Sequence, residues 1–247
     1  MLFKVFPPIT AAHVMVFLRS KLVTFITVYA FIPLIFLYGF RLAFPQMPAT
    51  FFLTGFLANT AFMCAYYPAA FEGFNRVFTS GQYSAMLAAA VPLHRILWED
   101  ILWFGIRGLL AALVMTLVAV PLVMPPAEWW LAAAALPIML MISVGAATAG
   151  FLAASLSREF DQLSYSESIV AAIFVFSGVF VQISAFPTFI QYLNWLSPLY
   201  HGVAAVRMIM LPATLSWLLA AHLLGMACTT AAAFAITHAR LKRRMED

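Results

Sequence analysis

The chain has 247 residues, of which 65% are hydrophobic and only 9% charged, with a formal net charge of +4 and a mean hydropathy of +0.99. Soluble domains run at about 45–50% apolar and about 25% charged, so the composition excludes a soluble globular protein and describes an integral membrane protein. A small positive balance in such a chain is an orientation signal and does not suggest a nucleic-acid partner.

The chain opens on KVFPPITAAHVMVFLRSK, within residues 1–21, which is too short and too interrupted to span. Pro7 and Pro8 suit a first helical turn, and Val14, Phe17 and Leu18 fall at i, i+3, i+4 ahead of Arg19 and Lys21. This predicts an amphipathic helix on the cytoplasmic membrane surface; a ragged extension of the first span is the alternative. It does not read as a signal peptide, since the prolines break the apolar run and no small-residue cleavage site follows it.

A spanning helix needs about 20 mostly apolar residues. Six windows qualify: 22–40, 49–71, 96–121, 129–156, 166–185 and 214–237. The joints carry turn residues: Pro45 and Pro48; Gly73, Gly81 and Pro92; Pro125 and Pro126. With no repeat or low-complexity linker, residues 1–247 read as one all-α transmembrane domain. Lys4, Arg19, Lys21, Arg76, Arg95, Arg158, Arg240, Lys242, Arg243 and Arg244 all fall on one side of this map. Arg41 and Arg207 fall on the other, and Arg107 lies within the third span. By the positive-inside rule both termini are cytoplasmic, as an even number of crossings requires. Cys64 and Cys228 match no metal spacing and read as small buried hydrophobes.

The largest cytoplasmic joint is residues 72–95, EGFNRVFTSGQYSAMLAAAVPLHR. Gln82–Ala90 reads as a short helix, preceded by Gly81 and ended by Pro92. Met86, Leu87 and Ala88 to Ala90 make it apolar, so something must cover it; lipid and a soluble partner both serve. The next joint, LSREFDQLSYSES, is short and polar, and Glu159 and Asp161 read as solvated charges or as further partner contacts. Arg107 sits eleven residues into its window, roughly 16 Å deep at 1.5 Å per residue. A charge near mid-bilayer costs about 2.5–3.5 kcal/mol on insertion scales, so it faces a bundle interior or a water-filled path; a shallower placement of the helix is the alternative. Gly105 and Gly108 beside it permit close helix approach.

Gly178 and Pro187 break the fifth window, and about thirty residues follow that are too apolar for a free loop and too broken for another crossing. A re-entrant hairpin over 186–213 fits. It runs in to Leu196, turns at Ser197–Pro198, and returns through a helix capped by Ser197 with Pro198 in its first turn. Tyr200, Ala204 and Arg207 then share one face, Arg207 reaches outward to headgroups, and Tyr192 and Trp195 suit the interface. An architectural plug and a gate are equally consistent with this. An intramembrane serine protease is disfavoured, because Ser177–Gly178 lacks the preceding glycine and His222 is the one candidate base. No GxxxxGK[ST] occurs, so the chain has no P-loop of its own for ATP.

Taken in order, AMLAAAVPLHRILWED with Glu99, GIRGL around Arg107, SGVFVQISAFP with Phe180, and SPLYHGVAAVR with Pro198, His201 and Arg207 resemble the permease subunits of type-2 ABC exporters. The likeness covers most of Phe71 to Arg244 and is greatest to the lipo-oligosaccharide and polysaccharide export group. Ala90 and Ser197 stand where threonine and asparagine are frequent. The resemblance implies two six-span subunits, alike or different, each resting on a separate cytoplasmic ATPase in the inner membrane of a bacterium, with ATP and Mg held by that ATPase and no cofactor held by this chain. It implies that Gln82, Tyr83, Met86, Leu87, Pro92, Arg95 and Glu99 belong to a coupling helix and its flank. Arg107, Phe180, Trp195, Pro198, Tyr200, His201 and Arg207 become pathway or gate residues for an amphipathic substrate. A membrane scaffold or assembly factor and a membrane enzyme are the rival readings.

Overall fold

A computed structural model describes residues 31–211 and 217–246. The expected surface helix over 1–21, and residues 22–30 of the first window, lie outside the described residues. Within them every regular element is helical. We number these α1 (Ile32–Ala43), α2 (Ala49–Phe74), α3 (Gln82–Ala88), α4 (Leu93–Val123), α5 (Trp129–Leu156), α6 (Leu163–Phe176), α7 (Thr188–Asn194), α8 (Pro198–Met210) and α9 (Trp217–Glu246).

The centre of the bundle is α2, which is apolar on every face, as a helix enclosed by others must be. It is buried from Phe51 to Phe74 with few interruptions, packed by α4, α5 and α8. Glycines set the closeness of these crossings. A Cβ on Gly108 of α4 would stand 2.5 Å from the Ala61 carbonyl oxygen of α2, and one on Gly150 of α5 would stand 2.5 Å from that of Tyr66. Ser143 of α5 adds a cross-helix hydrogen bond, donating to the Ala61 carbonyl at 3.3 Å.

Contacts sort the helix ends into two sets. At one end Arg244 of α9 donates to the Ser155 and Ser157 carbonyls where α5 finishes, and lies over Phe78 just past α2. Capping the last carbonyls of a helix with a cation also suits its dipole. At the other end α8 meets the start of α2 and the end of α6 through Arg207. Arg76, Arg95, Arg158, Arg240, Lys242, Arg243 and Arg244 therefore belong to one end, and Arg41 and Arg207 to the other.

Four helices are long and apolar enough to cross a membrane: Ala49–Thr79, where α2 runs on through a wide π turn, Leu93–Val123, Pro126–Leu156 and Trp217–Met245. They extend the second, third, fourth and sixth predicted windows. The fifth window, 166–185, is α-helical only to Phe176, with a single 3-10 turn at Ile183–Ala185 beyond it. The reason is backbone geometry that hydropathy does not register: Gly178 has φ +84° and turns the chain. At about 1.5 Å per residue α6 reaches roughly 21 Å, short of a hydrocarbon core of about 30 Å. Of the first window, residues 31–40 are described, and from Ile32 on they form α1. Cys64 is buried as expected, whereas Cys228 is exposed on α9.

Candidate functional site

Three groups of residues stand out, one at the basic end and two towards the other. The first is built on α3. Gly81 enters it with φ +67°, and the helix closes in a Schellman turn: Val91 N–H donates to the Met86 carbonyl at 3.1 Å and Ala90 N–H to that of Leu87 at 2.9 Å. The left-handed position of that turn is Ala90, with φ 59°. Pro92 then serves as the N-cap of α4 rather than as the stop of α3. Tyr83 is fully buried, Met86 and Leu87 are half-buried against the core, and Gln82, Ser84, Ala85 and Ala88 form the exposed face.

The Tyr83 hydroxyl donates to Asp100 Oδ2 at 3.1 Å, and Arg76 Nη1 pairs with Asp100 Oδ1 at 2.5 Å. Burial, and then the adjacent Asp100 carboxylate, push the Tyr83 phenol well above its ordinary pKa, so it remains a donor. The Arg76 guanidinium lies 5.1 Å from the Phe104 ring centre and that of Arg107 lies 5.5 Å from it. Arg107 closes the row by donating to both carboxylate oxygens of Glu72 at 2.9 and 3.0 Å. The third-span arginine therefore has a carboxylate on α2 as its partner. Arg95 stands outside this row, exposed, with its Nε 3.0 Å from Glu99 Oε1. Glu99 Oε2 is buried with no hydrogen-bond partner among the described residues. Sequence reasoning names Tyr83, Arg107, Arg95 and Glu99 but misses Glu72, Arg76 and Asp100. The signal was there, since acids are scarce in this chain and two of these three bracket the predicted joint.

The second group surrounds Phe180. Its ring stacks on Phe40 at 4.4 Å and meets Phe174 and Phe56 edge-on at 4.6 and 5.5 Å. Below it a cleft of about 360 Å³ opens between α1, α2 and α6. Phe36, Phe56 and Phe174 line it, with Met63 and Tyr67. Two polar atoms sit among these rings, Asn59 Oδ1 and Thr60 Oγ1, both buried and without a hydrogen-bond partner among the described residues.

The third group is the α7–α8 pair. Pro187 and Ser197 cap the two short helices, and Ser197 Oγ accepts from Tyr200 N–H at 3.3 Å. It also meets Ser177 Oγ at 3.0 Å, which ties the turn to the broken end of α6. Ser177 donates back to the Ile173 carbonyl, so it is engaged as a structural hydroxyl. Arg207 points inward instead of outward to headgroups. It donates to the carbonyls of Val179 and Phe51 at 3.2 and 3.3 Å and to Thr54 Oγ1 at 3.4 Å, with its guanidinium 3.7 Å from the Phe51 ring centre. The turn at Gly178 leaves the Val179 carbonyl outside any helix, and a planar cation with several donors reaches it together with the Phe51 carbonyl of α2. His201 is buried between Trp195 and His222, its Nε2 2.9 Å from the Trp195 carbonyl oxygen. Gly225 makes room for it, since a Cβ there would stand 2.7 Å from the imidazole. Tyr200, Ala204 and Arg207 line one cleft of about 430 Å³ with Trp195 and His222, as their shared face predicts. Tyr192 and Trp195 are exposed.

The comparisons with known proteins agree with this architecture. Residues 9–211 match the family described as ABC-2 type transporter. Nodulation protein J of Rhizobium meliloti (strain 1021) is 22% identical over 222 residues, covering 86% of this chain and 84% of that protein. The protein of the same name from Rhizobium leguminosarum bv. trifolii is 24% identical over 188 residues, covering 72% and 71%. That from Sinorhizobium fredii (strain NBRC 101917 / NGR234) is 25% identical over 162 residues, covering 65% and 61%.

Proposed function

The chain belongs to the ABC-2 type transporter family, and from that premise we propose how, as a permease subunit of an ABC exporter, it moves an amphipathic molecule across a bacterial cytoplasmic membrane. The transported species is a lipid-linked saccharide, a lipid-like or a drug-like molecule. Six crossings carry it: the four long helices, the segment 22–40 that ends in α1, and α6 with the chain beyond it. Both termini face the cytoplasm. Two such subunits, identical or different, pair in the membrane. Each rests on its own ABC ATPase, which holds ATP and Mg, and the face of α3 formed by Gln82, Ser84, Ala85 and Ala88 meets it. ATP binding closes the ATPase pair and moves α3. Residues 186–213 dip into the membrane from outside and gate the exit.

The observation that carries this reading is α3, a short helix pinned across the basic ends of α2 and α4 with one face left open. The Phe180 cleft favours an amphipathic cargo: aromatic walls suit an acyl chain or ring, and Asn59 and Thr60 offer hydrogen bonds to a polar head. Extracts of cells lacking the chain, compared with those of complemented cells, test the reading. The expected result is an amphipathic species retained inside the deletion strain and released on complementation, together with an ATPase that co-purifies with the full chain. Identical extracts with no co-purifying ATPase overturn it.

A further inference from the structure

If α3 receives the ATPase, its motion must reach the spans through whatever joins it to them. Tyr83 is the fully buried side chain of α3 and has no surface to offer a partner. Its hydroxyl is committed to Asp100, on α4, and Asp100 is committed in turn to Arg76, which follows α2. The guanidinium groups of Arg76 and Arg107 both lie over the Phe104 ring, and Arg107 returns to Glu72 on α2. These contacts form an unbroken row from α3 into the bundle.

We infer that Tyr83 and Asp100 are positioning residues of the transport cycle, which convert displacement of α3 into displacement of α4 against α2. Stability alone is a poor reason for such a row. A buried ion pair is often matched by apolar side chains of the same volume, whereas its geometry is demanding and its partners are fixed. Directional bonds transmit a push in a way that an apolar contact, free to slide, does not. A phenol is well suited to the first position, since it is stiff, with two side-chain torsions, and ends in a single donor.

The inference rests on α3 being the ATPase contact, and the test keeps the two apart. It uses the full chain bound to its ATPase, with Cys228→Ser and a reporter, Leu122→Cys, on the exposed surface at the opposite end of α4. Maleimide labelling of the reporter is compared without nucleotide and with ATP plus vanadate. In the otherwise unaltered chain the rate changes with nucleotide. Tyr83→Phe is expected to keep ATPase binding and basal hydrolysis while cutting that change about tenfold, the effect of losing one hydrogen bond to a charged group. Asp100→Asn, which keeps the shape but not the charge, gives the same loss and decides the matter should Tyr83→Phe assemble poorly. A full nucleotide response in both variants overturns the inference and leaves the ATPase contact standing. Loss of ATPase binding in Tyr83→Phe overturns it in favour of a direct contact. No nucleotide response in the unaltered complex overturns the coupling reading itself.

Discussion

His201 and His222 face one another Nδ1 to Nδ1 at 2.9 Å, and the surroundings assign both protons. The Trp195 carbonyl can only accept, so His201 carries its proton on Nε2. Neutral His201 must then accept at Nδ1, and His222 donates. Trp195 stacks on His222 at 5.5 Å and Tyr200 meets it edge-on at 5.4 Å, so the pair is walled by aromatic rings. His222→Ala leaves the buried Nδ1 of His201 unpaired and is expected to cost about 1–3 kcal/mol. The double variant with His201→Ala should cost less than the sum of the singles, because the second change removes a group already orphaned. Thermal unfolding in detergent checks this; strict additivity counts against the bond.

Arg207 holds the α6 break closed. Arg207→Ala strands the Val179 carbonyl, while that of Phe51 keeps the Thr54 hydroxyl at 2.9 Å, and is expected to cost about 1.5–3 kcal/mol, the range for a hydrogen bond to a charged group. Arg207→Lys should recover little, since a point charge cannot span several carbonyls while lying flat on the Phe51 ring. The readout is protease cleavage between Gly178 and Pro187. Protection equal to that of the unaltered chain would show that Arg207 is not the clasp.

Ala90 occupies a left-handed position that costs an L-residue about 1–2 kcal/mol. Ala90→Gly removes that strain and pays part of it back in chain entropy, so it should be neutral or stabilising by about 0.4–1 kcal/mol. Ala90→Val should destabilise, because a β-branched side chain fits this region worst. Melting of the purified chain ranks the three.

Gly108→Ala places a methyl 2.5 Å from the Ala61 carbonyl oxygen and 2.7 Å from Ser143 Oγ. It is expected to cost about 1–3 kcal/mol by overpacking the crossing of α2, α4 and α5. Gly39→Ala meets nothing within 4 Å and is the neutral control. Equal melting temperatures for the two variants would refute the close approach.

Orientation has a direct test. Glu128→Cys lies in the turn between α4 and α5, and Arg158→Cys in the turn between α5 and α6; both positions are exposed. An impermeant thiol reagent added outside is expected to label position 128 and to reach position 158 only after permeabilisation. The reverse pattern inverts the whole topology.

Local chemistry was readable in the sequence where it acts over a few residues. Ser197 and Pro198 announce a helix start, and α8 begins there with the Ser197 cap in place. Gln82 opens α3 as expected. What was hidden depends on the third dimension. Nothing in the spacing of His201 and His222, or of Tyr83 and Asp100, marks them as partners; α2 and α5 must first fix where α4, α8 and α9 lie. Hydropathy likewise counted 166–185 as one span, because it sums side chains and is blind to the backbone turn at Gly178. The sequence places Arg207 at the headgroups because its helix is considered there without the Val179 and Phe51 carbonyls that the fold brings beside it.

The lengths of the central helices bear on what touches α3. The helices Ala49–Thr79 and Leu93–Val123 have 31 residues each, about 46 Å at 1.5 Å per residue. A hydrocarbon core of about 30 Å leaves an overhang of roughly 16 Å. Exposed Trp129 and Trp130, beyond the far end of α4, suit one membrane boundary, so the overhang falls at the basic end, where Arg95, Glu99 and Asp100 lie in the first turns of α4. A headgroup layer occupies only about 5–8 Å of it. On this arithmetic the helix carried at its tip reaches past the headgroups, which is where the proposed ATPase contact through Gln82, Ser84, Ala85 and Ala88 requires it.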